Sequence, residues 1–589
     1  MMQSAKKTPV STLIPWAVML LATSTTLAEI QLPISNELMQ PHAFNQLGLH
    51  ALRQVEPGLT GSHVSFAVIC RSQTYVDGQP QNDYHPNVSH NCFADTTFIF
   101  HDPLSQPVGI SPHATAVCSI LFGQDPNASH PTLGRFRYQG IAPNADAHIY
   151  EFWQFLINNI FSQVTPNAQV LTASMGNPFE DWWTRGIDAM AEHSGLIVVA
   201  GIGNGDNAYD PPLYPGASAN VIGVGVVTSV SAQDLATRLA NFALAYPQYS
   251  TSGPTANKRC KPDIVAPGNC LAADPNAPDR YQATGDWSSY STPIVAGTVG
   301  LLIQKAQQNP ALANAIARTG GNCVLRAVLL NSATKLPFWH KGRLETDDDH
   351  SAPLDYVQGA GMLNALGAYI HLISGQSVPP DAASTGWDNN TIHKQQRPQA
   401  VYRMAVTEPT DMVISATLVW NRHFGTTYPF DPQPSKNTNL RLELWAIDPN
   451  NTQAGYLLDY SDSTADNVEH IFCRADPNCT VYELVVSFSQ SDVQGQAGLA
   501  ERYALAWNLT DRRDTGSIFW YDLNADGSVD SEDSAILIDY LSKSRDSNGD
   551  YLLGDINGDG LINLRDVEIL ISHASLRADW HKPVPGENR

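Results

Sequence analysis

Residues Gly285–Gly300 read G-D-W-S-S-Y-S-T-P-I-V-A-G-T-V-G. Three serines, Ser288, Ser289 and Ser291, stand in front of Pro293. Proline lacks an N–H and suits the first turn of a helix. Behind it, Ile294, Val295, Val299, Leu301, Leu302 and Ile303 make that helix apolar on most sides, hence buried. A serine at the head of a buried helix meets the positive end of the dipole and several free N–H groups, a good place to stabilise an anion. Taken alone, the stretch is equally a serine-rich cap on a core helix, and the rest of the chain decides.

Upstream, Val64–Ile69 (V-S-F-A-V-I) is a continuous apolar run of the kind that forms a buried parallel strand. Cys70 and Arg71 lie at its C-terminal end, where ligands and reactive groups gather in open α/β sheets. His113 opens a run of small and apolar residues, Ser111–Gly123. Further apolar runs are Gln169–Met175, ending at Gly176; Gly195–Gly201, leading to Asn204; and Asn220–Val227. They alternate with helical stretches such as Trp182–His193, so the class is α/β with a parallel sheet.

In order and spacing these segments resemble the subtilisin-like serine proteases. The matching motifs are F-A-V-I-C at Phe66–Cys70, H-A-T-A-V-C-S at His113–Ser119, S-M-G at Ser174–Gly176 and G-I-G-N at Gly201–Asn204. K-P-D-I-V-A-P-G at Lys261–Gly268 is unchanged from the family form, and G-x-G-x-x-N-A recurs in Gln358–Leu366. The resemblance covers roughly Leu47–Ser374. It implies a parallel sheet with helices on both faces and hydrolysis of a protein or peptide substrate. Ser289 would be the nucleophile, His113 the general base and Asn204 the oxyanion donor, with Ser174, Met175 and Gly176 as the substrate edge.

Three departures sit close to that chemistry. Cys70 occupies the position of the aspartate that orients the histidine, and a thiol is a weak acceptor. Asp77 or Asp83 could substitute only by swinging back from beyond the strand end, and a disulfide at Cys70 would remove the acceptor altogether. Trp287 and Ala114 stand where the family has glycines; the indole either closes the cleft or swings out and lines it. The rival expectation is a pseudoprotease, the same fold serving as a binding or scaffold module.

The formal net charge of −23 over 589 residues argues against phosphate-driven nucleic-acid binding. Lys6 and Lys7, the apolar run Leu13–Leu21 and Thr26-Leu27-Ala28 have the layout of a secretory signal peptide spanning residues 1–28, which implies a secreted, periplasmic or extracellular location. No later run is long enough for a membrane span. Export permits disulfides, with Cys473–Cys479 first and Cys260–Cys270 next, while Cys70, Cys92, Cys118 and Cys323 remain open.

With the peptidase domain spanning 29–375, Gln376–Thr385 reads as a linker. Residues 386–511 then carry strand-like runs, Ala400–Val406, Met412–Trp420, Leu440–Trp445, Val481–Phe488 and Arg502–Leu509, of an antiparallel β-sandwich, jelly-roll-like and supportive in role. The tail, 515–580, holds two twelve-residue loops with oxygen ligands at positions one, three, five, nine and twelve, a carbonyl at seven and glycine at six. The first places Asp522, Asn524, Asp526, Ser528, Asp530 and Asp533; the second Asp555, Asn557, Asp559, Leu561, Asn563 and Asp566. Hard oxygen donors in that spacing bind calcium in the EF-hand manner. Two such loops, each followed by one helix, resemble a dockerin. That implies a small α-helical calcium module and a cohesin-type scaffold partner, contacted through Ser531-Glu532 and Leu564-Arg565. A module that only stabilises the C-terminus is the alternative.

Overall fold

A computed structural model describes residues 39–574, except 42, 73, 78, 103–107, 132–133, 206–210, 228–249, 286, 318–319, 336–338, 343–347, 407–411, 448–454, 477, 490–498, 512–520, 522–528, 540, 543–561 and 573. The signal-peptide stretch lies outside the described residues, as do Asp522, Asn524, Asp526, Ser528, Asp555, Asn557, Asp559 and Leu561. Among the described residues no helix is long and apolar enough to cross a membrane.

The centre is a seven-stranded parallel sheet. Its strands are β1 (Ser65–Cys70), β2 (Phe98–His101), β3 (Asp146–Glu151), β4 (Val170–Ala173), β5 (Ile197–Gly201), β6 (Ile222–Val227) and β7 (Ile264–Pro267), in the spatial order β7-β6-β5-β4-β1-β3-β2. β1 shows why an unbroken apolar run was needed. Phe66, Val68 and Cys70 face one core, shared with α1 (Pro112–Phe122) and α3 (Ser288–Gln307), while Ala67 and Ile69 face the other, shared with α2 (Trp182–Ser194). Period-two alternation with both faces covered leaves no polar side. It also aims the Cys70 side chain at the face that carries His113. α3 runs through the larger core, and a Cβ on Gly300 would lie 2.3 Å from the Phe66 ring, so only glycine permits this approach to β1.

The helix does not begin at Pro293. Trp287 is its N-cap and Ser288 its first residue, which puts the proline in the second turn. Pro293 cannot donate to the Ser289 carbonyl four residues back. That carbonyl instead accepts the Ser174 hydroxyl at 2.8 Å. The break in the helix ladder is thus repaired by the end of β4.

Lys261-Pro262-Asp263, unchanged from the family motif, forms a buried ion cluster away from the serine. Asp263 takes Arg326 at 2.6 Å and also pairs with Lys261, while the same two cations donate to the Ala219 and Val221 carbonyls. Burial pushes Lys261 down to about 8, against the pull of Asp263.

C-terminal to this core, two sheets, antiparallel but for the short parallel pair of Asp381–Ala382 with Gln399–Ala405, form the expected sandwich. One orders Thr385–His393, Ala500–Asp511, Met412–Trp420 and Val468–Arg474; the other Asp381–Ala382, Gln399–Ala405, Val481–Phe488, Leu440–Ile447 and Gly455–Ser461. The stretch read as a linker is tied down: Trp387 Nε1 donates to Leu372 O at 2.9 Å, and Gln376 bridges Trp387. α4 (Gly321–Asn331) lies against the sandwich through buried amides, with Asn322 and Asn421 exchanging hydrogen bonds and Asn331 accepting from Ser415 and Thr417.

His423 bridges the same junction, with Nδ1 2.6 Å from Glu192 and Nε2 3.2 Å from Glu501. Burial opposes its protonation, but the hydrogen bonds and charges of the two glutamates outweigh it and raise His423 to about 9. A raised folded pKa stabilises fully below the unfolded value near 6.5 and ceases to do so as pH climbs through about 9. The thermal midpoint should therefore fall between pH 7 and 9.5, and His423→Gln should flatten that slope. Equal slopes in the two proteins would show that His423 is not the titrating link.

The expected disulfides are not formed: all eight cysteines are free. Cys473 sits on a strand opposite Ile414, while Cys479 lies 3.7 Å from the Tyr456 hydroxyl. Cys260 donates its N–H to Asp466 at the junction with the sandwich, and Cys270 faces Thr284 beneath α3. Cys70 is likewise unpaired and buried.

In the tail, α5 (Ser531–Asp539) and α6 (Leu564–Ser572) meet through Val529, Leu537, Ile562 and Leu570, which occupy equivalent positions in the two repeats.

Candidate active site

The C-terminal ends of β1, β4 and β5 and the N-termini of α1 and α3 converge on one cleft of about 330 Å³. It gathers Ser289, His113, Asn204, Ser174, Met175 and Gly176, all singled out by sequence, together with Arg71, Ser72, Gly201, Gly203, Leu213, Trp287 and Ser288.

Ser289 and Ser174 form a reciprocal pair. Ser289 Oγ donates to Ser174 O at 3.3 Å, and Ser174 Oγ donates to Ser289 O at 2.8 Å. This holds the hydroxyl against the edge formed by Ser174–Gly176. Ser288, which sequence reading passed over, fixes Asn204: both its N–H and its Oγ donate to Asn204 Oδ1, each at 3.0 Å. A backbone N–H can only donate, so the amide oxygen must face it and Nδ2 is the end left to meet a ligand. Ser288 Oγ in turn accepts Gly203 N–H at 3.2 Å. Gly203 has φ 119°, and a Cβ there would come within 2.5 Å of Thr251 Oγ1, so this turn requires glycine. The signal for Ser288 was its place immediately before Ser289.

His113 sits in the first turn of α1, capped by Ser111, whose Oγ accepts Ala114 N–H at 3.2 Å. Alanine at 114 is at home in that helical turn. Among the described residues His113 makes no hydrogen bond with Ser289 or with any carboxylate. His113 is half-buried, and burial pushes its imidazole down to about 4; the helix N-terminus acts in the same direction. Cys70 and His113 both line a chamber of about 10 Å³, with Ile69, Arg71, Val117, Ser174 and Met175. Burial raises the Cys70 thiol to about 12, so it stays neutral.

Neither substitute carboxylate reaches the ring. Asp83 accepts from Ser72 Oγ at 2.5 Å and from Thr74 N and Oγ1 at 3.1 and 2.6 Å. Burial raises that carboxyl, yet the hydrogen bonds from Ser72 and Thr74 prevail and leave it below its usual value. Asp77 is an exposed turn residue with φ 50°. Trp287 does not close the cleft. Its backbone is extended, and its indole stacks on Tyr290 at 5.8 Å with 46% of its surface exposed.

In the tail, Asp533 and Asp566 are fully buried. Each accepts the backbone N–H of the position-nine residue of its loop, Asp530 at 2.8 Å and Asn563 at 2.9 Å. Two buried carboxylates in matched settings suit a cation, which offsets charge that is costly to bury. Among the described residues no group of three or more His, Cys, Asp or Glu side chains is placed to hold a metal ion.

Fold and cleft define the class: a parallel α/β protein whose serine heads a buried helix beside a histidine and an oriented side-chain amide. Residues 55–361, just over half of the chain, match the model of the subtilase family, and the chain belongs to that family. Residues 520–575 match the dockerin type I domain. Subtilisin E of Bacillus subtilis (strain 168) is 25% identical over 297 residues, 48% of this chain and 66% of that protein. Subtilisin of Bacillus pumilus is 24% identical over 288 residues, 47% of this chain and 88% of the other. The chain thus spans just under two thirds of the length of subtilisin E. Among solved structures, the patellamide maturation protease PatA aligns with 22% identity and a TM-score of 0.37, over 54% of this chain and 98% of that one.

Proposed function

We propose that the protein is an exported serine endopeptidase, with domains at 29–375, 386–511 and 515–580. Its substrate is an extended peptide paired with the edge Ser174–Gly176. Ser289 Oγ attacks the carbonyl carbon while His113 takes the hydroxyl proton. Asn204 Nδ2 holds the oxyanion. The C–N bond then breaks, and His113 returns the proton to the leaving amine. Water repeats the sequence on the acyl-enzyme and regenerates Ser289. The observation that carries this reading is the Asn204 amide, fixed by Ser288 so that its donor end is turned toward the cleft beside Ser289. A fluorophosphonate probe should label the wild type and not Ser289→Ala. Absence of Ser289-dependent labelling, with no cleavage of an unfolded protein, would sink the reading.

A second reading, a binding or scaffold protein on the same fold, draws support from the neutral Cys70 thiol and from the lack of a carboxylate partner for His113 among the described residues. For the tail we propose calcium, held by the twelve loop positions named above, and attachment to a cohesin-type partner. Ser531, Glu532, Leu564 and Arg565 are all exposed, Leu564 by 74%, as a docking surface requires.

A further inference from the structure

We infer that Trp287 makes the cleft select an aromatic side chain on the leaving half of the substrate, the part released with the new amine. The inference rests on the peptidase reading for the direction of the peptide. Among the described residues that line the cleft, Trp287 is the exposed one, with 46% of its surface open. The subtilisin-like family has glycine at this position, so the indole is a feature of this chain and not of the family's cleft.

The indole is held in place. Trp287 N–H donates to Gly285 O at 2.8 Å, and Trp287 O accepts Tyr290 N–H at 2.9 Å, which closes a tight turn at the head of α3. Tyr290 is buried and lies nearly parallel to the indole, with 9° between the planes and 5.8 Å between the ring centres. One face of Trp287 is thereby fixed against the protein. The ring meets a ligand without the entropy cost of ordering a free side chain. A ring presented in this way takes a second ring edge-on or offset, a contact that an aliphatic side chain does not make.

The first turn of α3 tells the two halves of a substrate apart. Ser288 is turned to Asn204 and Gly203, and Ser289 to Ser174. These two residues therefore border the amide that holds the oxyanion and the edge along which the acyl half is laid. Tyr290 is turned instead to His113, with 6.1 Å between the ring centres. His113 must reach both the Ser289 hydroxyl and the leaving nitrogen, so the leaving half departs on its side. Trp287, three residues before Tyr290 and stacked on it, lies on that side.

Quenched peptides that share one acyl half and carry Phe, Leu or Ala at the first or second position after the scissile bond test this on the full-length chain. At one of those positions, kcat/KM of the wild type should be at least about 10-fold higher for Phe than for Ala and about 3-fold higher than for Leu. Trp287→Ala should bring the Phe-to-Leu ratio to about one, and Trp287→Phe should keep it above one. The same series placed before the scissile bond should give ratios that Trp287→Ala does not change. Anisotropy of the labelled peptides on Ser289→Ala reads binding without turnover. Aromatic-selective binding that depends on Trp287, with no hydrolysis by the wild type, upholds the aromatic site while the peptidase reading falls. Hydrolysis with no Phe preference, with a preference unmoved in the Trp287 variants, or with one tied to positions before the bond overturns the inference while the peptidase reading stands. No binding and no hydrolysis of any peptide overturns both.

Discussion

Cys70→Asp should raise kcat of this protein by at least about 10²-fold on a neutral peptide at pH 8. In the resting cleft the imidazole of His113 is neutral and held near 4 by burial. Taking the serine proton makes it an imidazolium in a site that disfavours one by about 3 kcal/mol. Cys70 cannot offset this, because its thiol is protonated up to about 12 and is a poor acceptor. Both residues border the same small chamber, so Cys70→Asp brings a carboxylate to the chamber that the ring lines. Removing the equivalent aspartate from subtilisin costs about 3 × 10⁴ in kcat, which sets the upper limit of the gain. Cys70→Ser, of similar size and uncharged, should show no comparable gain. The acid limb of the pH–rate profile should move upward in the aspartate variant alone, as a carboxylate raises the histidine pKa. A folded Cys70→Asp with unchanged kcat and pH profile would show that another step, such as release of Ser289 from Ser174 O, limits the reaction.

Most of the sheet was legible because both faces of its strands are buried. Runs such as Phe66–Ile69 and Ile197–Ala200 carry no polar residue to confuse their period. The sandwich was legible where long strands alternate. The expected linker Gln376–Thr385 ends at the first residue of the strand Thr385–His393, whose Asp388, Asn389 and Asn390 leave it no apolar run to read; in the fold Asp388 is satisfied by Gln376 and Tyr402. Gly455–Ser461, G-Y-L-L-D-Y-S, offers no alternation to read, and the period of Val468–Arg474 is obscured because Glu469 and His470 are polar yet wholly buried. At the cleft, sequence order carried Ser289, His113 and Asn204 to one place. It could not show that Pro293 lies in the second turn, because the hydroxyl that repairs the break comes from Ser174, 115 positions away. Nor could it show where the Trp287 indole turns, which Tyr290 decides by stacking. Cysteine spacing misled, because two thiols close in sequence can occupy unrelated walls of a fold.

Chelating calcium should unfold residues 521–574 while leaving the subtilase core and sandwich folded. The two tail helices have nine residues each, and their shared core is Val529, Leu537, Ile562 and Leu570. Four fully buried apolar side chains among the described residues are few for a unit of this size, and helices this short are marginal in isolation. What the repeats have in addition is acid. Asp533 and Asp566 are fully buried, and ordering Asp530 beside Asp533 gathers like charge in the first loop. Such a set folds readily only when a cation compensates it, so cation binding and folding are one equilibrium. Between excess chelator and millimolar calcium, the far-UV helical signal of the tail should be lost and regained, and proteolytic cuts should appear between the sandwich and α5 only in chelator. Asp533→Ala or Asp566→Ala should each raise the calcium concentration needed by at least about tenfold, because the twelfth position supplies a charged ligand from the head of a helix. The melting transition of the remainder should stay in place, since its own cores are large and separate from the tail cluster. A tail that keeps its helical signal and its protease resistance in chelator would mean that packing between α5 and α6 is sufficient, and the loops would then have to be read as solvated turns.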